Sequence, residues 1–211
     1  MRSSAWRRPF GLAAILATVL CLGGCQKWFH HHADTQPLYQ SGFWSDTIQK
    51  LRDMNVSDSE VSDLIKLHDA GFSDDSCVEF IRIARTRKEM FTGGETAAGL
   101  LKSGLAEPTV MELARLNLME NWGMEAQSIR LAGYSDQVVL ATARRHAEHQ
   151  PVASAASLVE LKNTGVTEQQ VLDLISRGLT DEQVGQMIAA HKQSEIPKVA
   201  YVRRVPRKKQ H

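Results

Sequence analysis

One four-residue pattern, met six times, constrains what this chain can fold into. Asn55-Val56-Ser57-Asp58, Gly71-Phe72-Ser73-Asp74, Gly104-Leu105-Ala106-Glu107, Gly133-Tyr134-Ser135-Asp136, Gly165-Val166-Thr167-Glu168 and Gly178-Leu179-Thr180-Asp181 share it. Each reads Gly or Asn, an apolar residue, a small and mostly hydroxylic residue, then an acid. Five places after the apolar residue stand Val61, Cys77, Val110, Val139, Val171 and Val184. Eight and nine places after it stand pairs such as Leu64-Ile65, Phe80-Ile81 and Leu174-Ile175. Those offsets fall on one face of a 3.6-residue helix. The Gly or Asn tolerates the left-handed conformation that ends a preceding helix. The hydroxyl caps the next helix, and the acid suits the positive end of its dipole. Each unit is therefore a short amphipathic helix with its own start and stop.

A further short helix precedes each pair of units, marked by Ile48/Leu51, Ala97/Leu100 and Leu158/Leu161. The units then group into three imperfect copies of a helical repeat, about 45–90, 95–149 and 153–193, in a domain spanning 45–195. The middle copy carries extra chain around Asn121-Trp122-Gly123, which predicts an added turn and helical piece. Thr92-Gly93-Gly94 and Gln150-Pro151 separate the copies. Helices this short are marginal alone in water, so they must stack to bury their apolar faces. The expected fold is all-α, an array or compact bundle of short amphipathic helices without a sheet. Aromatic residues make up only 6% of the chain, so aliphatic side chains must supply most of the core.

The N-terminus follows a different logic. Arg2, Arg7 and Arg8 precede an uncharged run from Phe10 to Leu22. As a helix that run rises only about 20 Å, short of the roughly 30 Å hydrocarbon core, which suits a secretory leader better than a permanent span. It closes on Leu22-Gly23-Gly24-Cys25. This segment resembles the lipobox of bacterial lipoproteins: Leu, a small residue, Gly or Ala, then Cys. The resemblance covers the leader alone. It implies a signal peptide over 1–24, cleavage between Gly24 and Cys25, a diacylglycerol on the Cys25 thiol and acylation of the new amine. A thiolate is the right nucleophile for that alkylation. Each buried CH₂ adds roughly 0.8 kcal/mol, so several acyl chains anchor stably where one would not. Gln26 is not the Asp that commonly retains such proteins at the inner membrane. The expected place is the cell envelope, on the outer membrane facing the periplasm where the host has two membranes. Arg7-Arg8-Pro9-Phe10 also echoes a twin-arginine signal, with Trp6 where Ser or Thr is usual. Residues 25–44, with Pro37 and Gly42, read as the lipidated Cys and a flexible tether.

The remaining features carry little chemistry. With Cys21 in the leader and Cys25 lipidated, Cys77 is the one remaining thiol, and its place in the Val slot of its unit makes it a core residue. His68, His146 and His191 each lie twelve places after their unit's apolar residue. A three-His metal site is one reading of that spacing; helix-end placement, where imidazole suits the dipole, is the other and the expected one. His30-His31-His32 sits on the tether without a second cluster. No Gly-x-Ser-x-Gly elbow, His-Glu-x-x-His or phosphate-binding loop is present. We therefore expect no enzyme activity, no metal site and no cofactor. Residues 196–211 read as a basic, disordered tail. Six basic residues and no acid lie from Lys198 to His211, which leaves the body net acidic. Arg203, Arg204, Arg207, Lys208 and Lys209 are candidates for contact with a polyanion such as an anionic lipid or envelope polymer. Nucleic acid is not an expected partner of an exported lipoprotein. The expected function is a membrane-anchored, non-enzymatic scaffold for protein or envelope-component interaction. The alternatives are a carrier of a small apolar ligand between helices and a His-based metal-binding protein.

Overall fold

The structure, a computed structural model, describes residues 33–195. The expectations for the leader, Gly24, Cys25, His30-His31-His32 and the basic tail lie outside the described residues. The described residues all belong to one of the chain's two compact units, 32–211.

Among the described residues the protein is all-α, as expected, with eleven helices and no strand. They are α1 (Gln36–Gln40), α2 (Ser45–Asp53), α3 (Asp58–Ala70), α4 (Asp74–Thr86), α5 (Gly94–Lys102) and α6 (Glu107–Arg115). Then come α7 (Met119–Leu131), α8 (Asp136–Ala147), α9 (Ala155–Lys162), α10 (Glu168–Ser176) and α11 (Asp181–Glu195). No helix among the described residues is long and apolar enough to cross a membrane. Each helix packs on the one two places along the chain. The odd-numbered helices α1 to α11 thus form one row and the even-numbered helices α2 to α10 a second. The rows touch through α1–α2, α3–α4, α5–α6, α6–α7 and α7–α8.

The repeated pattern positions these elements as its chemistry predicts. Asn55 has φ 51° and Gly71 φ 104°, the left-handed geometry that lets one helix stop and the next begin. The Ser57, Ser73 and Thr167 hydroxyls accept N–H bonds from Glu60, Ser76 and Gln170. Apolar residues before the caps, Val56, Phe72, Leu105, Tyr134 and Leu179, are all buried together with Val61, Cys77, Val110, Val139 and Val184. Tyr134 also satisfies its hydroxyl, which donates to the Leu158 carbonyl at 2.9 Å. Burial pushes that phenol's pKa up to about 12, with the Glu168 charge adding to the shift.

The acids of the pattern do more than favour a dipole. Asp74 accepts the backbone N–H of Trp44 at 2.9 Å, Glu107 that of Ser73 at 3.1 Å, and Asp136 that of Ala106 at 2.8 Å. In the odd row Asp58 accepts from Asp34 at 3.1 Å and Asp181 from Ser154 at 2.7 Å. The carboxylate that opens one helix thus satisfies the start of the helix beside it in the row. Neighbours within a row consequently run parallel, N-terminus beside N-terminus. Burial works against the Glu107 carboxylate, but the Ser73 and Ser76 hydroxyls hold its pKa below the ordinary range. Ser157 and Ser154 do the same for Asp181. At the end of the rows, among the described residues, no later helix supplies an acid to Thr167 or Thr180. Their N–H groups bond their own Gln170 and Gln183, at 2.9 Å in both cases.

One segment differs from expectation. Residues 36–40 lie in the segment read as flexible tether, yet they form α1 and bury Leu38. Pro37 sits in the first turn of α1, where a proline's missing N–H costs nothing. Around Asn121-Trp122-Gly123 the expected added turn and helical piece are present, and the helical piece is the thirteen-residue α7. Its start, Asn117-Leu118-Met119-Glu120, lacks the hydroxylic residue, but Asn117 still takes φ 59°. Helix contacts also continue across 90–95 and 149–153, since α3, α5, α7, α9 and α11 pack in unbroken succession.

Candidate interaction site

Glu60 and Arg85 form a dense hydrogen-bonded pair between α3 and α4. Glu60 is on the first turn of α3 with its side chain 1% exposed, and Arg85 is near the end of α4 at 31%. The guanidinium donates two parallel bonds to the carboxylate, Nη1 to Oε1 at 2.7 Å and Nη2 to Oε2 at 2.8 Å. Glu60 also accepts the N–H of Ser57 at 2.8 Å and that of Phe91 at 2.7 Å. Arg85 spends its other donors on the carbonyls of Met54, Asn55 and Glu89. Burial alone would raise the Glu60 pKa; the Arg85, Phe91 and Ser57 donors outweigh it and hold it below the usual glutamate range. The pair ties the loop after α4 to the start of α3.

That loop, with Met90 at its tip, separates two clefts. One, of about 470 Å³, is lined by Met54, Asn55, Arg85, Lys88 and Met90. The other, of about 270 Å³, is lined by Phe80, Arg87, Met90, Asn117, Glu120 and Asn121. Met90 is 54% exposed, so a large apolar side chain stands free between two polar-rimmed hollows. Further along the rows, a third cleft of about 260 Å³ is lined by Trp122, Glu125, Thr142, His146, Val152 and Asp181. Trp122 is its floor, buried at 5% and stacked on the His146 ring at 5.8 Å. All three clefts open to solvent. Each combines apolar surface with carboxylates and amides or an imidazole, which suits recognition of a peptide-like or polymeric surface.

The structure keeps the other candidates apart. Cys77 is fully buried, and its thiol pKa is pushed up to about 12, chiefly by burial and further by Asp74 and Glu107. Such a thiol is a packing group. His68 lies against Phe43 at 4.4 Å, with Nε2 3.3 Å from Asp74. His146 is on Trp122, and His191 is beside a separate cleft with Glu160 and Lys192. The three are on α3, α8 and α11 and do not converge. Among the described residues no group of three His, Cys, Asp or Glu could hold a metal ion. Arg203, Arg204, Arg207, Lys208 and Lys209 lie outside the described residues.

Sequence reasoning missed Glu60, Arg85, Met90 and Trp122. Ser57-x-x-Glu60 did carry a signal, the spacing of a capping box, and the box is formed. Nothing in the sequence pairs Glu60 with a residue 25 positions on. Compared with known proteins, the chain matches no family model, no curated protein and no solved structure.

Proposed function

We propose that this is a lipid-anchored protein of the bacterial envelope whose helical rows form a non-enzymatic scaffold for a protein or envelope-polymer partner. The line of open, mixed-polarity clefts beside Met90 and Trp122 carries this reading. A carrier of a small apolar ligand needs an enclosed apolar cavity, whereas the described clefts are open and rimmed by charge. The anchor rests on the resemblance of Leu22-Gly23-Gly24-Cys25 to a lipobox, and the tail's Arg203, Arg204, Arg207, Lys208 and Lys209 add a second contact with polyanionic surfaces.

We also read the rows as a repeat of four helices rather than the three copies drawn from sequence. Helices α3 and α7 begin at 58 and 119, α4 and α8 at 74 and 136, and α6 and α10 at 107 and 168, each 61 or 62 residues apart. The second and third clefts correspond under the same shift. Phe80 and Thr142, Ala84 and His146, and Glu120 and Asp181 take equivalent places in them. A repeat that reproduces its clefts is an arrangement suited to an extended partner.

Photo-crosslinking in whole cells tests the scaffold. A benzophenone amino acid at position 90 or 125 should capture the same discrete protein or polymer, while one at Ala189, on the exposed face of α11, should not. Adducts with lipid or small molecules alone, or equal labelling from all three positions, would overturn it.

A further inference from the structure

The exposed face of the odd row carries an apolar strip that its own polarity matches to a second copy. On α7, Met124 is 79% and Leu131 69% exposed, seven residues apart and therefore on one side of the helix. The small Ser128, also exposed, lies between them. The counterparts of Met124 and Leu131 on α3 are the polar Ser62 and Asp69. Helix α7 is thus set apart from its equivalent, and it is the middle one of the five odd helices α3 to α11.

We propose that the chain forms a two-fold homodimer in which α7 packs antiparallel on α7 of the second copy. An antiparallel pair centred between Gln127 and Ser128 brings Met124 onto Leu131 of the other chain, twice by symmetry. Arg130 already donates to the Gly104 and Tyr134 carbonyls, so Glu125 and Arg130 give α7 an acid-to-base polarity along its length and not a charge pair across the axis. The flanking helix α5 has the same polarity, with Glu95 near its start and Lys102 at its end. Gly99, near the middle of α5, lies beside Gln127, 4.0 Å from a Cβ placed there to the Gln127 Nε2. One axis therefore passes through the centres of both helices and pairs Glu95 with Lys102. Helix α11 repeats the polarity with Glu182 and Lys192, whereas α9 carries Glu160 and Lys162 together and is neutral in this respect.

A parallel two-fold pairing would set α7 on itself with like charges level and would turn α5 onto α9 of the second copy, so Glu95 and Lys102 would not meet. The antiparallel one sets acid against base, which is the complementarity that selects one orientation. The small Ser128 near the axis lets the helices approach. Five helices about 10 Å apart and about 20 Å long give the face room for the roughly 800 Å² per partner that stable interfaces bury. This inference does not depend on the lipid anchor or on the clefts.

Cysteine crosslinking of the full chain with Cys21 and Cys25 replaced by Ser tests it, because the remaining thiol, Cys77, is buried. Under mild oxidation Ser128→Cys should give a covalent dimer above the background of that parent chain, and Ser62→Cys should not. Adding Leu131→Asp should lower the yield at least tenfold. Glu95→Lys should weaken it several-fold, and Glu95→Lys with Lys102→Glu should restore it. Equal crosslinking from Ser62→Cys, insensitivity to Leu131→Asp, or adducts of Ser128→Cys with only a different protein would overturn the proposal.

Discussion

Replacing Glu60 by Ala is expected to lower the stability of the fold by about 3–5 kcal/mol, the usual cost of breaking a buried ion pair from one side. The change strands the Arg85 guanidinium and leaves the Ser57 and Phe91 N–H groups without their acceptor. Glu60→Gln keeps the shape and one acceptor oxygen, so it should cost about half as much. The two variants also differ from wild type in acid. Because the folded carboxylate titrates below its unfolded value, its contribution is fully present above the ordinary glutamate range. It is lost as pH falls through the lowered folded value. Urea unfolding at pH 7 and again near pH 3 should therefore show the gap between wild type and Glu60→Gln narrowing at the lower pH. A gap that stays constant would mean that the carboxylate charge has no part in holding the α4–α5 loop.

The second large effect separates two glycines that look alike in sequence. Both Gly94 and Gly185 lie within helices, where Ala is ordinarily better by about 1 kcal/mol. A Cβ on Gly94 would come within 2.7 Å of the Asp63 Cβ and carbonyl oxygen and 2.9 Å from its Cα, all on the neighbouring α3. The backbones themselves would have to part, so Gly94→Ala should destabilise by about 2–3 kcal/mol, the range for overpacking a well-fitted contact. A Cβ on Gly185 meets nothing within 4 Å. Gly185→Ala should therefore stabilise by about 1 kcal/mol. Thermal unfolding of the two variants side by side checks both signs.

The pattern of Gly or Asn, apolar residue, cap and acid was enough to reveal an all-helical fold because each of its parts acts within one turn. Asn117-Leu118-Met119-Glu120 escaped it because Met119 replaces the hydroxyl, although Asn117 alone marks the turn. The loops through Lys88 and His149 escaped for a related reason: both residues take positive φ without being Gly or Asn. What sequence could not supply was contact between helices. That Asp136 reaches Ala106, or Arg85 reaches Glu60, depends on how rows stack and on no local spacing. The clefts are invisible for the same reason, since whether Met90 stands exposed and Trp122 is buried depends only on what packs around each.

The central claim, a scaffold held to the envelope by lipid on Cys25, is tested most directly by the intact mass of the membrane-extracted protein. The account predicts a chain that begins at Cys25 and carries a diacylglycerol with or without an additional acyl group, and a Cys25→Ala variant that leaves the membrane fraction. An unmodified Cys25, or a Cys25→Ala chain that still fractionates with membranes, would contradict it.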